Sequence, residues 1–182
     1  ALHALSDFSD RRIAGSELAA AEDFRWRAGD GLEIQGWLYR PKDAARGAII
    51  LVHGGPTAHS EDAFDPEVQY LVAAGFAVLQ PNYRGSTGFG LPFQEAIKLQ
   101  GWGGPEQDDI ARGAEALIAK GVAASGRVGV TGTSYGGYSS WCQITRWPVR
   151  EVAAAAPVCG MTDLVVDYET TRPDLRAYSI EM

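Results

Sequence analysis

Gly132-Thr133-Ser134-Tyr135-Gly136-Gly137 stands between a β-branched run, Arg127 to Thr131, and a helical pattern in which Tyr138, Trp141, Cys142 and Thr145 share a face. A Gly-x-Ser-x-Gly motif between a strand and a helix is the pattern of a nucleophile elbow. A serine hydroxyl is a weak nucleophile, and it acts only where a base and a substrate carbonyl can both reach it. A sharp turn at the end of a strand projects the side chain into that position, and Gly132 and Gly136 leave room for the close backbone approach the turn demands. The chemistry implied is acyl transfer through Ser134. Acyl transfer also needs donors for the oxyanion of its tetrahedral intermediate. One is expected from the amide of Tyr135, the residue after the nucleophile. The other is expected from His53-Gly54-Gly55-Pro56, where glycines let the backbone turn an N–H toward the carbonyl oxygen. His53 itself reads as a loop organiser hydrogen-bonded to nearby backbone, not as the base.

Two further glycine-rich segments accompany these. Asn82-Tyr83-Arg84-Gly85-Ser86-Thr87-Gly88-Phe89-Gly90 lies after the strand Phe76 to Leu79, at the end where open α/β sheets place their ligand sites. Gly101-Trp102-Gly103-Gly104 precedes a helix that starts at Pro105. Both read as segments that shape loops, so His53, Gly54, Tyr83 and Arg84 are assigned to shaping the site and not to the reaction.

The elements that must position these residues follow from periodicity. Phe24 to Ala28 and Glu33 to Arg40 alternate apolar and polar residues around Gly29-Asp30-Gly31, a hairpin signal. Ala48 to Val52, Phe76 to Leu79, Arg127 to Thr131 and Val152 to Ala156 are short apolar runs of the kind found in strands buried on both faces. Asp65 and Pro66 supply a cap and a first helical residue, Val68, Leu71 and Val72 an apolar face, and Gly75 a stop. The Pro105 helix carries Glu106, Asp108 and Asp109 in its first turns, where negative charge suits the helix dipole. Its stripe is Ile110, Ala114, Leu117 and Ile118, and Gly121 closes it. Pro173 to Met182 reads as a short helix at most. Strands alternating with helices predict a mainly parallel sheet with helices on both faces. Residues 1–22 read as a linker or lead-in and residues 23–182 as one catalytic unit.

A hydrophobic fraction of 46% and a charged fraction of 21% are ordinary for a globular chain. The net charge of -7 argues against nucleic acid as a partner, since phosphate binding needs clustered Lys and Arg. No apolar run is long enough to span a bilayer and no secretory leader pattern opens the chain, so no membrane partner is expected. Cys142 and Cys159 do not make a disulfide framework; both read as buried reduced thiols, which fits a cytoplasmic location.

Taken together, His53-Gly54-Gly55-Pro56, the Asn82 to Gly90 loop, Trp102-Gly103-Gly104 with Asp108-Asp109, and Gly-Thr-Ser134-Tyr-Gly-Gly-Tyr resemble, in order and spacing, the prolyl oligopeptidase family of serine peptidases. The resemblance is strongest to its acylaminoacyl-peptidase and dipeptidyl-peptidase branches and runs from about Asp23 to Met182. It implies an α/β-hydrolase fold, Ser134 as nucleophile, and the amides of Gly55 and Tyr135 as the oxyanion hole. It implies a short peptide substrate cut near its N-terminus, with no metal or organic cofactor. The family's triad runs Ser, Asp, His. Here His3, His53 and His59 all precede Ser134, and Asp163, Asp167 and Asp174 follow it too closely to match the family's Asp. The triad Asp and His are therefore expected outside this chain, the fold is expected to be truncated after its nucleophile half, and this fragment alone is expected to be inactive. The family's β-propeller is not read in this chain, and a homo-oligomer or a complementing remainder of the catalytic domain is a further expectation. A carboxylesterase on the same scaffold and a non-catalytic hydrolase-like binding module are the competing readings.

Overall fold

The computed structural model describes residues 18–145 and 152–181; most of the expected lead-in, with His3, lies outside them. Six strands form one sheet: β1 (Ala21–Arg27), β2 (Glu33–Tyr39), β3 (Ala48–Val52), β4 (Ala77–Asn82), β5 (Val128–Thr133) and β6 (Val152–Val158). Their order is β1-β2-β4-β3-β5-β6. The hairpin of β1 and β2 joins β4 antiparallel, and β4, β3, β5 and β6 run parallel. β1 begins inside the expected lead-in.

Successive residues of β3 point to opposite faces, and that alternation sorts the helices. Ile50 and Val52 join Leu79, Val128 and Val130 in a large cluster with the helices α3 (Pro105–Ala119) and α4 (Tyr135–Thr145). Leu51 faces the other way, with Tyr39 and Val78, against Val68 and Val72 of α1 (Pro66–Ala73). Each fully buried Leu, Ile or Val contributes about 1.5–3 kcal/mol, so the larger cluster is what fixes α3 and α4. Asp65 caps α1 as its sequence suggests, its Oδ1 accepting from the amides of Glu67 at 2.8 Å and Val68 at 3.2 Å. β3 and β5 are neighbours whose following helices, α1 and α4, lie on opposite faces. Their carboxyl ends therefore open a crevice, the usual place for a site in an open parallel sheet.

Several expectations need correction. β6 is not buried on both faces: it is the last strand in the order, paired only with β5, and Ala153, Ala154, Ala156 and Val158 are exposed. An apolar run reports what a strand tolerates, and here α4 packs along it while its outer edge has no strand neighbour among the described residues. Cys142 is buried but Cys159 is exposed, in the turn after β6. On α4, Trp141 and Thr145 point outward; the buried face is Tyr135, Tyr138, Ser139, Cys142 and Gln143. β4 continues three residues beyond Leu79 and passes through Pro81, which lies past the last pair with β3, where a missing N–H costs the ladder least. Residues after Gly90 are helical, as α2 (Leu91–Glu95) and a 3-10 turn (Ala96–Leu99), with Phe93 and Ile97, four residues apart, packed on the core. After β6 come α5 (Leu164–Thr170) and α6 (Pro173–Glu181), neither with a buried residue.

Candidate active site

Ser134 stands exposed between β5 and α4 with φ of 60°, a backbone conformation that few residues other than glycine adopt. Three things hold it there. Its amide donates to the Val158 carbonyl at 3.0 Å, and its own carbonyl accepts from the Tyr138 amide at 3.0 Å, so β6 and α4 grip it from both sides. Gly132 and Gly136 both press on the Val52 carbonyl, where a Cβ on either would collide with the oxygen. The two glycines thus allow β5, β3 and the start of α4 to meet at one point, and the side chain between them is thrown clear. The backbone of Gly54 runs beside it: a Cβ there would lie 3.5 Å from the Ser134 Cβ.

The loop after β3 is tied down residue by residue. His53 sets Nδ1 against the Gly54 carbonyl at 2.8 Å and Nε2 against Ser86 Oγ at 2.9 Å, and its ring stacks on Tyr83 with centroids 4.4 Å apart. The Tyr83 hydroxyl donates to the His53 carbonyl at 3.0 Å. Burial holds the His53 imidazole down to about 4, and pushes the Tyr83 phenol well above its usual range, so the first stays neutral and the second stays a donor. Further along, Asn82 bonds both the amide and the carbonyl of Ser60, and the Thr87 amide donates to the Ala58 carbonyl. The Tyr178 hydroxyl, on α6, lies 2.7 Å from Thr57 Oγ1. Tyr135 follows Ser134 as the first residue of α4, and Gly55, with φ of 122°, follows Gly54 in the loop after β3.

Arg84 is buried and shared between two carboxylates. Asp109 takes its Nε at 2.9 Å, its Nη2 at 2.8 Å and its backbone amide at 2.9 Å, while Asp30 takes Nη1 at 2.8 Å and Nη2 at 3.1 Å. The hairpin, α3 and the loop carrying Tyr83 and Ser86 are thereby joined through one guanidinium. The helix dipole alone would account for acids at the start of α3, but the structure gives each a separate partner. Asp108 accepts from the Gly29 amide at 2.8 Å, Asp109 holds Arg84, and Glu106 accepts from Gly103, Gly104, Gln107 and Tyr135. One signal for Glu106 was present. It lies four residues before Ile110 and eight before Ala114, so an acid sits on the core-facing stripe of the helix.

The two described imidazoles are engaged away from Ser134, since His59 sets Nδ1 against Thr87 Oγ1 at 2.8 Å. Asp163 caps α5 by accepting from the amides of Val165 and Val166, and Asp174 pairs with Arg172. A cleft of about 390 Å³ opens beside the elbow, with His53, Gly54, His59, Gln80 and Thr133 among its walls. No described helix is long and apolar enough to cross a membrane, and no three His, Cys, Asp or Glu among the described residues gather as a metal site.

Residues 62–181 match the prolyl oligopeptidase family. The chain is 38% identical over 117 residues to dipeptidyl peptidase family member 6 of Caenorhabditis elegans, covering 64% of this chain and 16% of that protein. Among solved structures, a puromycin hydrolase superposes with a TM-score of 0.86 at 26% identity over 96% of this chain and 27% of its own. An acylaminoacyl peptidase of Pyrococcus horikoshii superposes with a TM-score of 0.78 at 28% identity, over 87% of this chain and 26% of its own. The chain spans about a fifth of the length of the curated relatives it matches. The fold these likenesses establish is that of the α/β-hydrolases.

Proposed function

Because the chain belongs to the prolyl oligopeptidase family, we propose that it is the nucleophile-bearing part of a serine peptidase that cuts short peptides near their N-terminus. The observation that carries the reading is Ser134 itself, exposed at φ of 60° where two glycines pack on the Val52 carbonyl. In the reaction the Ser134 Oγ attacks the scissile carbonyl and its proton passes to a base. The tetrahedral oxyanion is held by the amides of Gly55 and Tyr135, the amine leaves with the proton, and water releases the acyl group by the same route. Losing one oxyanion donor typically costs about 3 kcal/mol of barrier lowering. The base is a histidine contributed by residues beyond those of this chain, together with the acid that orients it. Support comes from the engagement of His53 and His59 elsewhere and from the share of the relatives' length that this chain spans. His53, Tyr83 and Arg84 shape the loop that presents Gly55. Cys142 and Cys159, neither of them in a disulfide among the described residues, support a reducing, cytoplasmic setting.

The test is a panel of aminoacyl and acyl-aminoacyl p-nitroanilides beside a short p-nitrophenyl ester, offered to the complete protein. A kcat/KM for a blocked or free N-terminal peptide at or above that for the ester supports the peptidase. Turnover of the ester alone would replace it with a carboxylesterase, and turnover of neither with a binding module.

A further inference from the structure

α3 and α4 meet along a seam of polar side chains where two helices on one sheet face would ordinarily meet through apolar ones. Tyr135, Ser139 and Gln143 succeed one another at intervals of four along α4 and so form one stripe. Glu106 and Gln107, from the first turn of α3, face that stripe. Tyr135 Oη donates to Glu106 Oε1 at 2.9 Å, Gln107 Nε2 donates to Ser139 Oγ at 3.0 Å, and Gln143 Nε2 donates to the Gln107 carbonyl at 3.0 Å. All five residues are at most 1% exposed. Only Gln143 Oε1, at the end far from Ser134, lacks a partner among the seam's side-chain atoms.

The end near Ser134 is the most completely bonded. Glu106 accepts from the Gly103 amide at 2.5 Å, the Gly104 amide at 3.0 Å and Gln107 Nε2 at 3.1 Å besides Tyr135, so its carboxylate cannot swing. Tyr135 is packed as tightly, with ring centroids 5.2 Å from Trp102, 5.4 Å from Tyr138 and 6.0 Å from Tyr83. Apolar packing is non-directional and lets a helix turn a little about its axis; a hydrogen bond weakens steeply when its angle opens. The residue so tethered is the one whose backbone amide begins α4 and adjoins the nucleophile. Rotation of the first turn of α4 would carry that N–H away from the oxyanion.

We propose that Glu106 is a positioning residue for the oxyanion hole: through the Tyr135 hydroxyl it sets the direction of the Tyr135 amide. This rests on the reading of Ser134 as a peptidase nucleophile. Glu106 touches neither substrate nor Ser134, and its effect passes through the Tyr135 side chain to the backbone.

The cleanest variant is Tyr135→Phe in the complete protein, because it keeps the ring and removes only the hydroxyl, leaving Glu106 its other three donors. A displacement of about 1 Å from productive geometry costs on the order of a hundredfold in rate; the expected fall in kcat for loosening one donor is therefore roughly tenfold to a hundredfold, with KM little changed. The rate of fluorophosphonate labelling should fall by the same factor. Glu106→Gln, which keeps an oxygen for the Tyr135 hydroxyl, should recover part of what Glu106→Ala loses. Ser139→Ala removes a seam bond one turn further on and serves as the structural control: it should lower the melting temperature at least as much as Tyr135→Phe while leaving kcat nearly intact. Hydrogen exchange at the amides of residues 135–138 needs no turnover, and it should quicken in Tyr135→Phe and not in Ser139→Ala. A wild-type protein that neither labels nor turns over would strike the peptidase reading, and the exchange result would then decide this one alone. Unchanged kcat and exchange in Tyr135→Phe, or losses in Ser139→Ala as large as in Tyr135→Phe, would overturn it.

Discussion

Around the start of α3 the carboxylates of Glu106 and Asp109 are buried and fully hydrogen-bonded, whereas along β6, α5 and α6 the apolar side chains of Val158, Val165, Val166 and Ile180 are exposed. The two regions border the same serine. On the α3 side, Glu106, Gln107 and Asp109 each have several named partners. On the β6 side, the strand edge and the helices beyond it expose apolar side chains without cover among the described residues. One half of the site is therefore held by direction-dependent bonds that specify atomic positions. The other half is bordered by exposed apolar side chains. The comparison predicts that substitutions on the α3 side are costly and those on the β6 side are mild.

The largest expected effect is at Asp109. Asp109→Ala strips the buried Arg84 of two side-chain bonds and its backbone partner, and the exposed Asp30 compensates only in part. Removing one member of a buried ion pair costs about 3–5 kcal/mol, and chemical denaturation should show a loss of that order. A change under 1 kcal/mol would mean that the network is not what fixes this side.

Next is acid. His53 titrates near 4 in the fold because burial disfavours its charged form, against 6.5 when free. Between those values the unfolded chain takes up a proton there and the folded one does not, so stability is full above pH 6.5 and falls as the pH drops toward 4. Melting temperatures across this range should show the decline, and His53→Gln should remove its share of the slope. A variant with the same slope as wild type would show that the imidazole is not held neutral.

The smallest effects sharpen the contrast through two equivalent caps. Asp65 and Asp163 each accept from two first-turn amides, but α1 buries Val68 and Val72 while α5 buries nothing. A lost cap costs about 1 kcal/mol in a helix coupled to the core. Asp65→Ala should reach that figure and Asp163→Ala a fraction of it. Equal losses would place α5 in the cooperative core.

What was legible in the sequence divides along the same line. The elbow, the strands of the parallel sheet and the Asp65 cap could be read because each depends on local order: glycine spacing, an apolar run, a capping residue before a proline. The bonds of Glu106 and Asp109 could not, because their partners, Tyr135 and Arg84, lie far along the chain, and an acid in a first helical turn has an adequate local explanation already. The open edge of β6 follows from the expected truncation, but the exposure of its faces and of Cys159 was hidden, since an apolar run fixes what a strand can pack against and is silent on whether anything does.

The central claim is that Ser134 is the nucleophile, and the direct measurement is covalent labelling of the complete protein by a fluorophosphonate probe. Such probes react quickly only with an activated serine. Rapid labelling of the wild type is expected at a peptide containing Ser134, and none in a folded Ser134→Ala variant. Undiminished labelling of that variant would contradict it and remove Ser134 from the reaction.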